Sequence, residues 1–165
     1  MITMDTVKIQ GYIPGAIGRI AEMHAVYYHA TWHFGRYFEA KVVVELSQFL
    51  ERFNDRRDGF WTACSNNRVH GSIAIDGVKA DSEGAHLRWF IVSQGLRGQG
   101  IGGTLLDHAI RFCRNKDYAT VYLWTFEGLE AARHLYEKNG FQLMLQQKGD
   151  QWGTRVNEQK YVLRL

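Results

Sequence analysis

Apolar positions along the chain recur at two different periods, and the period changes several times. Residues 7–10 alternate briefly, as a short strand does. From Pro14 the spacing becomes helical, through Ile17, Ile20, Ala21, His24 and the pair Tyr27/Tyr28. The stretch "YYHATWHFGRYF" then crowds aromatic residues without a clear period and predicts mostly loop. Val42, Leu46, Phe49/Leu50 and Phe53 restore the helical spacing, so a second amphipathic helix is expected over residues 38–53.

"FWTACSNNRVHGSIAI" reads as a hairpin. Its arms are rich in aromatic and β-branched residues, and Ser65-Asn66-Asn67-Arg68 between them offers asparagines that tolerate left-handed turn positions. "AHLRWFIV" predicts a strand that ends at Val92 and runs into a glycine-rich loop. A helix is expected over residues 100–115, with Ile101, Leu105, Ala109 and Cys113 as its stripe. "TVYLWTF" predicts the next strand, and residues 129–139 a helix stopped by Asn139-Gly140. "FQLMLQQ" and "KYVLRL" predict the last two strands. A meander followed by alternating strands and helices implies a mixed α/β sheet.

Bulk properties narrow the classes. A chain of 165 residues fits one domain, and its 45% apolar and 22% charged residues match a soluble globular protein. Net charge is +3 with no block of Lys or Arg, which weighs against a nucleic-acid binder. "RFNDRR" contains an acid and reads as a solvated helix end; residues 1–6 read as a frayed terminus. Cys64 and Cys113 are isolated and no secretory signal is evident, so a reducing, cytoplasmic setting is expected. No apolar run approaches the roughly 20 residues of a membrane helix.

The loop "QGLRGQGIGGTLL" (residues 94–106) carries two overlapping patterns. Gly98, Gly100 and Gly103 spell G-x-G-x-x-G, the dinucleotide fingerprint, and Glu127 lies where a ribose-binding acid would be expected. That fingerprint, however, places its first glycine directly after the strand, whereas Ser93 to Arg97 intervene here. The residues that follow are also too few for the rest of a dinucleotide domain. Arg97, Gly100 and Gly102 spell R-x-x-G-x-G instead. Glycines let successive backbone N–H groups turn toward one anion, a helix start aims its positive end there, and Arg97 adds a cation. This arrangement suits a pyrophosphate.

"LRWFIVSQGLRGQGIGGTLLDHAIRFC" resembles the acyl-CoA-binding motif of the GNAT acetyltransferase superfamily, and "AARHLYEKNGF" resembles its following helix and strand. Together they cover about residues 85–142. "LWTFEGLEAARHLYEKNGF" and "GYIPGAIGRIAEMHAVYYHATWHF" are similar, more narrowly, to GNAT domains fused to MarR-type DNA-binding domains, without the winged-helix half. The resemblance implies a GNAT fold: one domain with a mixed, mostly antiparallel sheet flanked by helices and splayed at its central strands. It implies acetyl-CoA as acyl-donor cosubstrate and no metal. Pantetheine would bond to the backbone of Phe90, Ile91 and Val92, and pyrophosphate to Arg97, Gly98, Gln99, Gly100, Ile101, Gly102 and Gly103.

The same resemblance makes Tyr136 the proton donor to the departing thiolate. Two departures stand out: Leu129 replaces an Asn common seven residues before that Tyr, and Trp124 replaces a Glu often used as base. Glu83, His86 and Glu127 are then the candidate bases, with Glu127 expected nearest the cleft. His24, Tyr28, Trp32 and Trp124 are expected to wall the acceptor pocket, closed from the far side by Trp152, Gly153 and Tyr161. The bland account of the aromatic cluster around residues 24–34 is that it completes a small core. The function implied is an N-acetyltransferase acting on a small-molecule amine or a protein amine. The alternatives are a catalytically silent acyl-CoA sensor and a DNA-binding regulator. Neither nucleic acid nor a membrane is an expected partner, and a homodimer is left open.

Overall fold

The computed structural model describes residues 6–165, so the first five residues of the terminal segment lie outside the described residues. The elements in order are β1 (Lys8–Gln10), α1 (Ala16–Trp32), α2 (Arg36–Glu51), β2 (Gly59–Ser65), β3 (Arg68–Asp76) and β4 (Ala85–Val92). They continue with α3 (Ile101–Asn115), β5 (Thr120–Phe126), α4 (Glu130–Lys138), β6 (Gln142–Gly149) and β7 (Val156–Arg164). One seven-stranded sheet runs β1-β2-β3-β4-β5-β7-β6. Every neighbouring pair is antiparallel except β4 with β5. The mixed sheet flanked by helices matches the expected fold class.

Two apolar cores cover the two faces of this sheet. Leu105, Leu106, Ala109 and Cys113 of α3 pack on Ile73, Leu87, Leu123 and Tyr161. On the other face, Ile20 and Ala21 of α1 and Val42, Leu46 and Phe49 of α2 pack on Ala74, Trp89, Ile91 and Phe126. The β2–β3 hairpin turns at Asn66 and Asn67, whose φ values of 51° and 57° are the left-handed positions read from the sequence.

Two expectations are corrected. The stretch "YYHATWHFGRYF" is mostly helix, because α1 runs on to Trp32 and α2 begins at Arg36. Aromatic contacts one turn apart hold that extension: Tyr28 stacks on His24 at 6.1 Å and meets Trp32 at 5.8 Å. The period is blurred because Tyr27 turns to another side, under the Arg97 guanidinium. The helix ends at His33, which takes φ 60° and donates its N–H to the His29 carbonyl. β7 likewise begins four residues earlier than its apolar pattern suggests, since Glu158 and Gln159 are buried polar residues within it.

The sheet is disturbed where it matters most. Between Ala74↔Arg88 and Ser72↔Ile91 two β4 residues oppose one on β3, a bulge, and Trp89 within it has φ 48°. Such a φ costs a bulky residue on the order of 1–3 kcal/mol. Three contacts offset it: Trp89 is buried beside Phe49 at 5.3 Å, the Arg88 guanidinium lies 4.2 Å from its ring centroid, and Ser72 Oγ donates to its carbonyl at 2.7 Å. Ser72→Ala leaves that carbonyl unpaired in the interior. It should lower unfolding stability by about 1–3 kcal/mol in urea titrations, and a change within a few tenths would deny the bulge this support.

Candidate active site

The parallel pair β4–β5 is bonded only at Ala85↔Val121 and His86↔Tyr122. Beyond these residues the strands part, and β4 from Leu87 to Val92 and β5 from Leu123 to Phe126 become opposite walls of a cleft of about 780 Å³. The glycine loop and α4 close one end of it. α1, α2 and Gln151-Trp152 of the β6–β7 loop close the other.

At the first end, α3 begins without a side-chain cap, with Gly100 at φ 83° as N-cap and Gly98 at φ 77° before it. These two glycines serve the backbone path. Gly102 and Gly103 do not: a Cβ on Gly103 would meet nothing within 4 Å, and one on Gly102 would make only ordinary contacts from 3.6 Å. The space they leave is open cradle beside the first N–H groups of a 15-residue helix. Arg97 stands at its rim, its Nε donating to the Val92 carbonyl at 3.1 Å and its guanidinium 4.1 Å from the Tyr27 ring centroid. Those contacts fix the arm and leave the other guanidinium nitrogens for an anion. The residues therefore fit a diphosphate.

The middle of the cleft is polar but uncharged. Tyr136 of α4 is 6% exposed, packed among Phe90, Phe141 and Tyr161, and its hydroxyl has no hydrogen-bond partner among the described residues. It is not an orphaned buried atom, so the hydroxyl is the part that reaches the cleft. Burial first, and the neighbouring Tyr28 second, push its pKa well above the usual phenol value and keep it protonated. Tyr28 is raised likewise, by burial and by Tyr27, with Arg97 opposing.

His24 Nδ1 lies 2.8 Å from the Ile20 carbonyl, which can only accept. The neutral ring must carry its proton there, leaving the Nε2 lone pair for the cleft. Burial lowers its pKa to about 4 against the raising effect of that bond. His86, stacked on Tyr122 at 4.4 Å at the last paired position, is lowered to about 3 by burial, then by Arg88.

Charges gather at the end of the cleft that α1 and α2 close. Glu45 of α2 bonds Lys41 at 2.6 Å and also Arg88 of β4, whose guanidinium lies 3.8 Å from Asp76. Lys41, Glu45 and Arg88 escaped the sequence reading. The available signal was Arg88, the one charge in the strand "AHLRWFIV".

Of the expected site residues, Phe90, Ile91, Val92, Arg97, Gly98, Gly100, Ile101, Gly102, Gly103, His24, Tyr28, Trp124 and Tyr136 line this one cleft, as does Trp152. Others stand outside its wall. Glu127 is exposed and its carboxylate accepts from Asn157 Nδ2 at 2.7 Å. Gln99 turns its amide back to the Gly95 carbonyl, and Trp32 packs behind the wall on Phe126. Glu83 is exposed and paired with Lys79. Gly153 lies under Tyr37, and Tyr161 is wholly buried behind Tyr136. Among the described residues no cluster of His, Cys, Asp or Glu could hold a metal ion.

The acetyltransferase (GNAT) family model matches residues 18–141 of this cleft-bearing chain. The chain belongs to the GNAT acetyltransferase family. Among GNAT relatives, N-acetyltransferase 8B of Rattus norvegicus is 36% identical over 92 residues, which is 54% of this chain and 41% of that protein. The chain thus spans about two fifths of the length of that relative. The ribosomal-protein-alanine N-acetyltransferase from Brucella melitensis superposes with a TM-score of 0.74 at 19% identity, over 96% of this chain and 99% of that one. A GNAT family acetyltransferase from Elizabethkingia anophelis, solved with acetyl-CoA bound, gives 0.68 at 18% identity over 98% and 99%. At these identities the likeness shows the GNAT fold. Among the described residues no helix is long and apolar enough to cross a membrane.

The depressed histidines have a consequence for stability. Between pH of about 6.5 and 4 the unfolded chain protonates His24 while the folded chain does not, so stability must fall as pH falls across that window. Asp76 is held below its usual range: burial raises it, but the Arg52 hydrogen bond, the Val78 amide and nearby cations win, so its loss comes at lower pH. His24→Gln should therefore flatten the slope of unfolding free energy against pH near pH 5 by about one proton. An unchanged slope in urea titrations from pH 4 to 7 would contradict the buried neutral ring.

Proposed function

We propose that this protein transfers the acetyl group of acetyl-CoA directly to an amine of a small molecule or a protein. The observation that carries the proposal is one continuous cleft leading from an anion cradle at α3 to a protonated, unpartnered tyrosine at the strand splay. When bound, acetyl-CoA supplies a thioester carbonyl open to a neutral amine. The first N–H groups of α3 and Arg97 hold the diphosphate, and the unpaired edge of β4 at Phe90 and Ile91 takes the pantetheine amides. Tyr136 donates its proton to the sulfur. Its raised pKa does not disqualify it, because the same burial raises the proton affinity of a thiolate beside it.

The proton lost by the amine has no buried, unpaired carboxylate waiting in the cleft wall, since Glu130 there is exposed and lies beside Arg133. Glu45 is neutralised by two cations, and Glu127 is bonded to Asn157 outside it. In this reading Glu127 is not the base; His86 and His24 accept hydrogen bonds from the amine and orient its lone pair. Neither is basic enough to deprotonate an ammonium with a pKa near 10, so the amine enters neutral, and the proton it sheds on acylation goes to the Tyr136 phenolate left by protonation of the sulfur. Trp124, Tyr28 and Trp152 wall the acceptor.

A single domain is supported by one sheet shared by both cores, and a reducing, cytoplasmic setting by two buried free thiols. Kinship with the GNAT domains of MarR-type fusions rests on the sequence resemblance alone. The silent-sensor alternative draws on the missing carboxylate, and an assay for free CoA thiol with amines, amino acids and peptides separates the two: release of thiol would exclude the sensor.

Gly103→Glu separates binding from folding. A carboxylate in the first turn favours the helix dipole, and leaving glycine gains up to about 1 kcal/mol of helix stability. Thermal stability should hold or rise while CoA affinity drops at least about tenfold; unchanged affinity by calorimetry would sink the diphosphate assignment.

Tyr136→Phe should leave CoA affinity alone and lower single-turnover transfer by about 10²–10⁴-fold, the usual worth of a positioned acid. A rate within about twofold of wild type removes Tyr136 from the reaction.

With chemistry rate-limiting, kcat/KM for a primary amine should rise about tenfold per pH unit from pH 6 toward the amine pKa. His24 and His86 stay neutral throughout that range and add no inflection. A plateau reached near pH 7 would reveal a dedicated base.

A further inference from the structure

The sheet ends on β6, which is bonded to β7 on one side only. Every residue from Gln142 to Lys148 is exposed, including Leu143 (45%), Met144 (56%) and Leu145 (43%). Lone edge strands are normally blunted by proline, by charges, by bulges or by brevity. β6 has eight residues, no proline and no charge before Lys148. Its one irregularity is the register shift at Met144, between Leu143↔Tyr161 and Leu145↔Lys160. Neither core reaches it: the two clusters end at Tyr161 and Leu163 on one face and at Val156 on the other. Three consecutive apolar residues on a free row of backbone donors and acceptors call for a strand alongside.

The sequence of β6 says which strand. Gln142-Leu143-Met144-Leu145-Gln146 reads the same in both directions, centred on Met144. We infer that β6 pairs antiparallel with β6 of a second copy of this chain, about a two-fold axis at Met144. Such an axis sets Met144 against itself, Leu143 against Leu145 and Gln142 against Gln146, so each residue faces its own kind. Lys148 falls opposite Gly140 of the other copy, and the two ammonium groups stay apart. Gln146 is already oriented, because its Oε1 accepts from Gln159 Nε2 at 2.8 Å, which leaves its amide N–H groups to donate across the axis to Gln142 of the other copy. The two seven-stranded sheets then join into one continuous sheet. The inference rests on the edge alone and is independent of what the cleft binds.

Sedimentation equilibrium at tens of micromolar tests it. Wild type should sediment at about twice its 19.0 kDa, and Met144→Lys, which brings two like charges face to face on the axis, at 19.0 kDa with an unchanged circular dichroism spectrum. The side chain is exposed in the single copy, so the substitution has no packing to destroy. Single cysteines report the register. Directly opposed residues lie about 4.5–5.5 Å apart between Cα atoms, within disulfide reach, so Met144→Cys should oxidise to a covalent dimer. Gln147→Cys should not, since the two copies of residue 147 lie six residues out of register, about 20 Å apart. Native Cys64 and Cys113 are buried and do not compete. A wild type at 19.0 kDa, a dimer that survives Met144→Lys, or equal cross-linking at 144 and 147 each overturns the inference.

Discussion

Two backbone pairs, Ala85↔Val121 and His86↔Tyr122, are all that bond β4 to β5, and the rest of the molecule is arranged around the place where that bonding stops. Had the ladder continued, the central strands would have consumed each other's donors and acceptors and left no cleft. The pairing stops at His86, and beyond it β4 bulges at Trp89, the residue after Arg88. That bulge is paid for on the α1–α2 side, where Trp89 and Ile91 enter the core with Phe49. Thus α2, which forms only one corner of the cleft, also packs the bulged strand that walls it.

Charge is graded along the opening. Cations and helix N–H groups stand at the glycine end, and an ion cluster of Lys41, Glu45, Arg88 and Asp76 stands at the other. Between them lie two histidines that resist protonation and two tyrosines that resist ionisation. Burial drives all four shifts, and each moves the group toward its neutral form. A thioester carbonyl held there would meet hydrogen-bonding partners of fixed protonation, with full charges kept at a distance.

Much of this was legible in the sequence, for identifiable reasons. The N–N hairpin, the strand before the loop and the glycine-to-helix junction all carry local chemistry that only one backbone satisfies, and they stand where expected. The extension of α1 to Trp32 was not legible, because aromatics on several sides of one helix erase its period. The position of Glu127 was not legible either. Chain distance brings it to the end of β5, but only the fold shows its carboxylate turned outward to Asn157. Lys41, Glu45 and Arg88 come from α2 and β4, some forty residues apart in sequence, and no local pattern announces such a meeting.

The splay parts β1–β4 from β5–β7 beyond two bonded residue pairs. Each apolar core bridges that seam on its own face of the sheet, one under α3 and α4 and the other under α1 and α2, and the cleft lies where the seam opens. A molecule lying in that seam and bonded to both walls acts as mortar. It adds cross-links that the polypeptide left out, and the folded state gains by mass action, about 2.7 kcal/mol at a hundredfold excess over the dissociation constant.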